Sequence, residues 1–458
     1  MIKRLYIECT HTSESGLNTG IQRVVRKIIN QLGDALADDT PITLVMIEDG
    51  AFYPLASLPD LRQGKKTKPE AVVLSPQALP GKPEQHSFKV KVLDFIRCKR
   101  LMIVEKITWK PLHSFLAAPR TAFGLIGILY FLFVKPLQRA GFKEKTALIE
   151  STIEFSQGDT VLMLDSSWHL PAWDAINTAK NSGAVVISVI YDLIPITHPQ
   201  FCDAHLTEVF NTWFKQANSK VDGYISISQT VQQSIQDYLF AMGHELDVQR
   251  FGYFYLGADI AEQNEYAREA LKKSISKQDT YLIVCTIEPR KNHQYLLDVF
   301  SELWEQGIVI KLHIVGHIGW KVDALLQQIE QHPQLNKQLF IWNDLDDREL
   351  VYCYKHSKAL VFPSIVEGFG LPIIEAQHFG LPVLASDTPI HREVGGDSVL
   401  YFDLDKKQDL VRKIARIEAG NLPLNQGAKF DLEQFTWKRS AEMLVQEIQR
   451  IEADLCNV

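Results

Sequence analysis

Short apolar runs rich in β-branched and aromatic residues recur along the chain, with helix-periodic stretches between them. The runs are RLYIECT, ITLVMIED, TVLMLD, AVVISVIYD, GYISIS, YLIVCTIE, IKLHIVG, QLFIWND, ALVFPS and PVLASD. Alternation of this kind predicts an α/β fold built on parallel sheets with crossover helices. The first helix is the best marked, because Ile21, Val24, Val25, Ile28, Ile29 and Leu32 recur at the spacing of one helical face. That face is expected to be core, with Arg23, Arg26 and Lys27 outside. After an apolar strand ending at Gly257 the chain turns polar before a second strand series begins, which predicts a domain boundary near residue 260. The expected organisation is an N-terminal domain over 1–260, a second domain over 261–430, and a helical segment over 431–458 whose periodicity does not choose between them.

The segment Phe88–Lys145 departs from this order. It carries twelve Lys and Arg against three acids and contains the apolar run AFGLIGILYFLFV, residues 122–134. As a helix that run reaches only about 20 Å, short of a hydrocarbon core of about 30 Å, so a membrane span is not expected. Two readings stay open: a buried helix of the N-terminal domain, or an interfacial element whose basic flanks meet an anionic membrane surface.

Composition narrows the class. At 458 residues, 46% apolar and 22% charged, the chain is globular and long enough for two domains. A formal net charge of −7 lacks the basic surplus of a nucleic-acid-binding domain, so no nucleic acid is expected. The six cysteines contain no CxxC pair, which argues against a zinc knuckle or disulfide framework and fits a reducing cytoplasm. The opening MIKRLYIECTHT has a brief apolar run broken by Glu8 and reads as a first buried strand rather than a signal peptide.

Candidate chemistry gathers in the second half. ALVFPSIVEGFGLPIIEAQHFGLPVLASD reads as strand, loop, helix, loop, strand, with Pro372 suited to a first helical turn and Gly380 to the position past the end. Gly368 and Gly370 permit a bend whose amide N–H groups, with the helix N-terminus, can cradle a phosphate. Glu375 falls about one turn into that helix; the same pattern also suits a plain turn whose carboxylate complements the helix dipole. In CTIEPRKNHQYLLDVF a strand ends near Glu288, Arg290 and Lys291 follow, and Asn292 is expected to N-cap the next helix. Two cations at the carboxyl edge of a parallel sheet can hold a diphosphate leaving group, or can be a solvated surface pair. HIVGH is spaced like a zinc motif but lacks its glutamate and reads as strand and turn, and neither GxxxxGK[ST] nor GxGxxG occurs.

IEPRKN, HIVG, PSIVEGFGLPIIEAQHFGLPVLASD and REVGG together resemble the donor-binding half of the retaining family-4 glycosyltransferases, most closely from about Tyr281 to Asp403. The resemblance implies a GT-B fold, two Rossmann-like domains with a cleft between them, the first binding acceptor and the second a nucleotide-diphospho-sugar. It implies that FTWKRSAEMLVQEI crosses back to the first domain. Arg290 and Lys291 would then hold the donor diphosphate, Glu375 the ribose hydroxyls and Glu367 the transferred sugar. Gly368, Phe369, Gly370 and Leu371 would present backbone to sugar and phosphate, with Gly316 of HIVG nearby and Trp342 beside the base. In SGLNTGIQRVVRKI, Gly20 stands where relatives bring a glycine-rich loop to the phosphate. In VIYDLIPITHP, Asp192 is kept while Tyr191 takes the place of a histidine that many relatives bring near the sugar; His198 or Tyr191 would serve instead.

The resemblance implies a glycosyltransferase that needs no metal or other cofactor. It would move a sugar, with GDP-mannose favoured, to a lipid-linked or polysaccharide acceptor of a bacterial surface polysaccharide, in the cytoplasm or peripherally on the membrane. Alternatives are a non-catalytic assembly partner or a nucleotide-sugar epimerase of the same architecture. Glu367→Ala or Lys291→Ala is expected to nearly abolish transfer with the fold unharmed.

Overall fold

A computed structural model of the chain describes residues 2–15, 20–37, 40–59, 152–258, 266–424 and 430–456. Met1–Arg62 and Thr152–Val458 gather into one unit. The other unit, Gln63–Ser151, lies outside the described residues, and with it the basic and apolar segment of 88–145. The boundary expected near residue 260 also falls outside them.

Two sheets organise the described residues. The first contains β1 (Arg4–Glu8), β2 (Ile42–Glu48), β3 (Ala51–Leu55), β4 (Asp159–Met163), β5 (Val185–Ile190), β6 (Gly223–Ser226) and β7 (Phe251–Tyr253), in the order 3-2-1-4-5-6-7. The second contains β8 (Thr280–Val284), β9 (Lys311–Val315), β10 (Leu339–Trp342), β11 (Ala359–Phe362), β12 (Val383–Ser386) and β13 (Leu400–Phe402), in the order 10-9-8-11-12-13. Every pairing is parallel except β2 with β3. That one reverses through Asp49 and Gly50, both at positive φ (47° and 78°), as a tight hairpin turn requires. Helices cover both faces, so central strands such as β4 and β8 are buried along their whole length.

The helix Ile21–Ala35 buries Val24, Val25, Ile28 and Leu32, as its period predicts. It packs against the last helix, Trp437–Cys456, which follows the second sheet in sequence but lies on the first. Thr160 of β4 donates to Glu452, and Arg450 Nη2 donates to the Phe251 carbonyl at 2.7 Å. A Cβ on Gly257 would stand 2.4 Å from the Trp437 backbone nitrogen, so the entry of that helix needs glycine there. Beside it, Ala258 N donates to the Phe435 carbonyl at 2.9 Å. Among the described residues no helix is long and apolar enough to cross a membrane.

Candidate active site

Strand order reverses beside the first strand of each sheet, between β1 and β4 and between β8 and β11, and in open α/β sheets ligands bind outside the carboxyl ends of strands at such points. After β8 the chain makes a 3-10 turn over Pro289–Lys291; after β11 it runs through Glu367 into the helix Leu371–His378. These two connections meet. Glu367 Oε2 accepts from Arg290 Nη1 at 2.7 Å and Oε1 from Lys291 Nζ at 2.5 Å, with both carboxylate and ammonium nearly sealed from solvent. Arg290 Nε also pairs with Glu288 at 2.7 Å, and its carbonyl accepts from Ile365 N. Asn292 precedes the helix His293–Glu305 at φ 58° and makes no side-chain cap bond. The expected cap is therefore corrected: the tight turn demands a left-handed residue, which Asn tolerates better than most.

Electrostatics follow from this packing. Burial alone would raise the Glu367 carboxyl, but the Arg290 and Lys291 cations hold it well below the usual range. Burial raises both Asp192 and Glu288, against the pull of the Arg290 guanidinium. His293, beneath the turn, is pushed down to about 3 by burial and by Lys291 and is neutral. The cluster thus sets Arg290 and Lys291 around one carboxylate held low by them, with Asp192 and Glu288 raised by burial beside it.

The other residues expected to meet a donor lie at loops and element ends of both sheets. Gly370 precedes the helix Leu371–His378 at φ 100°, and Pro372 lies in its first turn. Trp342 closes β10, its carbonyl accepts from Gly316 N at 2.9 Å, and its indole N–H donates to His313 Nδ1 at 3.1 Å. Gly20 opens the helix Ile21–Ala35 at φ 50°. Phe369 is buried against Tyr255 and Phe435, so its ring packs between the sheets. The capping box between Asp346 and Glu349 shows DLDDRE to be a helix start.

Across the cleft, Asp192 and Arg290 wall one cavity of ≈ 190 Å³ together with Asp165 and Trp168. His198 is not among its lining residues; its ring stacks on Phe201 and its Nδ1 meets Thr197 Oγ1 at 2.9 Å. Tyr191 lines this cavity, while its hydroxyl donates to the Leu164 carbonyl at 2.8 Å inside the first sheet's core.

Several partners come from afar in sequence. Arg23, expected outside, reaches Glu375 Oε1 at 3.1 Å, while Tyr354 Oη donates to Oε2 at 2.8 Å. Ser228 Oγ donates to the Gly368 carbonyl at 2.9 Å, and Glu393 accepts the Gln229 and Thr230 amides at the start of the helix Gln229–Ala241. His391, fully buried, has its Nδ1 at Ser386, its ring beside Phe362 and its Cδ2 3.6 Å from where a Gly370 Cβ would stand. Its place in PIHREVGG is the one local signal that it serves the Gly370 loop. Among the described residues no group of three or more His, Cys, Asp or Glu is placed to hold a metal ion.

Beside this cavity lies a buried polar network. Glu8 accepts from Thr10 N at 2.8 Å and from the Ser167 hydroxyl, while Asp165 accepts from Thr12 N at 2.5 Å and Ser166 N at 2.7 Å. Burial first, then the Asp165 carboxylate, push Glu8 up to about 7 from 4.5. Because the native state holds this proton more tightly than the unfolded chain, the stabilisation is complete below pH 4.5 and is lost as pH rises through about 7. Glu8→Gln is therefore expected to gain about 2 kcal/mol relative to the natural chain between pH 5.5 and 8, measured by paired denaturant melts. Parallel pH profiles for the two proteins would show that Glu8 titrates normally.

Residues 267–429 match the family model described as glycosyl transferases group 1. The chain is 30% identical over 313 residues to the serotype-specific mannosyltransferase WbdA of Escherichia coli, an alignment covering 65% of this chain and 38% of that protein. It thus spans well under half the length of that relative. Over 231 residues it is 26% identical to the O-antigen chain mannosyltransferase RfbU of Salmonella typhimurium, covering 50% of this chain and 60% of that one. Among solved structures it is similar to Anabaena Alr3699/HepE in complex with UDP-glucose, with a TM-score of 0.51 and 15% identity over 99% of this chain and 100% of that one. The architecture, two parallel-sheet α/β domains, is the GT-B fold.

Proposed function

We propose that this chain, which belongs to the group 1 glycosyl transferase family, transfers a sugar from a nucleotide-diphospho-sugar to a hydroxyl of an oligosaccharide or lipid-linked acceptor in surface-polysaccharide synthesis, with retention. The observation that carries the reading is the buried Arg290–Glu367–Lys291 cluster at the β8–β11 switch point. Similarity to mannosyltransferases favours GDP-mannose as donor. In this reading Arg290 and Lys291 take the diphosphate and stabilise its charge as the C1–oxygen bond breaks, a role that needs no metal. The acceptor oxygen forms the new bond from the same face and passes its proton to the departing phosphate oxygen. Glu367 accepts from a sugar hydroxyl and holds both cations in register. Glu375 takes the ribose diol, with Tyr354 fixing its carboxylate.

Thermal melts with GDP-, UDP- and dTDP-sugars test the donor: a ligand at 100 times its Kd adds about 2.7 kcal/mol to native stability. GDP-mannose is expected to give the largest rise, followed by mannosyl transfer whose product carries an α-linkage. No shift with any nucleotide-sugar overturns the reading. A shift with sugar inversion at C2 and no acceptor requirement makes the protein an epimerase.

A further inference from the structure

A second groove, of ≈ 470 Å³, opens on the first sheet's side, between the segment 168–173 and the helix Ala204–Lys220. Trp168 and Trp213 wall both it and the cavity that reaches Asp192 and Arg290, so the two spaces are neighbours. Its size falls in the range of about 300–1,000 Å³ usual for ligand clefts. Its indoles are braced: Trp173 stacks on Trp213 with centroids 6.0 Å apart, and Trp168 meets Phe210 edge-on at 5.4 Å. Trp213 is buried and serves as the base, Lys220 Nζ stands 5.9 Å from the Trp173 ring, and the partly exposed Trp168 and Trp173 offer rigid aromatic surface that loses little entropy when a ligand meets it. Around them stand exposed hydrogen-bonding groups, the imidazoles of His169 and His205 and the carboxylate of Glu208.

A pyranose needs that pairing, since one face is mostly C–H and its rim carries hydroxyls. A lipid chain in the same groove would leave the imidazoles and carboxylate facing hydrocarbon, at a desolvation cost with no hydrogen bond in return. We propose that this groove holds the sugars of the acceptor glycan that precede the one presenting the attacking hydroxyl, so that the protein selects an acceptor of at least two residues. The proposal rests on the transferase reading above and names its acceptor side.

The test uses the full chain, GDP-mannose as donor, and methyl α-mannoside, α-mannobiose, α-mannotriose and decyl α-mannoside as acceptors. KM is expected to fall about tenfold from methyl mannoside to mannotriose, equivalent to about 1.4 kcal/mol. In Trp173→Ala the ratio of the two KM values is expected to collapse towards one. Glu208→Gln, at an exposed position where folding is not at stake, is expected to lower the ratio by about threefold. Tryptophan fluorescence titrated with mannotriose in the absence of donor reads the groove independently of turnover. A saturable change that Trp173→Ala abolishes supports the groove even where no transfer is seen, which would count against the donor reading alone. Equal KM values for all mannosides with no fluorescence response overturn the groove while leaving transfer standing. A gain with decyl mannoside and none with mannotriose also overturns it, in favour of lipid.

Discussion

Lys291→Ala is expected to lower transfer by about 10²–10³-fold, the usual loss when one donor to a developing negative charge is removed from a preorganised site. Stability falls with it. The ammonium lies 2.5 Å from Glu367, both side chains are more than nine-tenths buried, and Lys291 packs over the Phe362 ring at 5.3 Å. Breaking a buried pair by removing one partner costs about 3–5 kcal/mol, and Arg290 at 2.7 Å from the same carboxylate places this variant at the lower end. Glu367→Ala is the harsher change, because it strands two cations at once. The sequence expectation that the fold survives both substitutions unharmed is therefore corrected. Glu367→Gln, which keeps the shape and removes the charge, is the better kinetic probe. Initial rates with the donor that shifts the melting temperature most, set beside denaturant melts, decide the matter. Near-natural turnover in Lys291→Ala at reduced stability would make the cluster a structural feature and sink the site assignment.

Gly368→Ala is the second large effect. A Cβ there would stand 2.2 Å from the Tyr191 carbonyl oxygen and 3.2 Å from the Asp192 Cβ, and a backbone oxygen cannot swing aside. The clash falls between the sheets, so each half keeps its own packing and the two cannot close fully. A misplacement of about 1 Å costs roughly 10²-fold in rate. The expected result is that loss in kcat/KM with most of the donor-induced thermal shift retained, since the charged side chains assigned to the donor, Arg290, Lys291 and Glu375, stay in place on the second domain. Unimpaired turnover would show that chemistry does not need this approach.

The fold was legible because its main signal is local. Ten apolar runs anticipate ten of the strands, while β3, β7 and β13 are short or sit among turn residues and announce themselves weakly. Arg290, Lys291, Glu367, Glu375 and Gly370 could be proposed for the same reason: they lie at strand-to-helix connections of one domain, where spacing is informative. What escaped were partners that only tertiary structure brings together. Arg23 and Glu375 are 352 positions apart, and Ser228 and Gly368 are 140 apart. Periodicity assigned Arg23 to solvent because it lies off the apolar face of its helix. That reasoning is sound for one domain alone, but the outside of one domain is the inside of a cleft. Tyr191 shows a second limit of pattern: its place in VIYDLIPITHP does not tell that its hydroxyl donates to the Leu164 carbonyl.

The crossing at Ala258 and Phe435 has a mechanical consequence. The chain leaves the first sheet after Ala258 and comes back into it at Trp437, and the bond between these two passages, with Trp437 seated on Gly257, ties them side by side. Fastened together there, the two passages lie side by side at one line where the first sheet's side meets the second. Polar contacts also span the gap, from Trp320 and Lys321 to the carbonyls of Phe201, Gln200 and Cys202, from Glu393 to the 229–230 amides, from Arg23 to Glu375 and from Ser228 to Gly368. In the transferase reading, opening to admit a donor must also part Phe369 from Tyr255, so the gap is held by apolar contact as well as by hydrogen bonds.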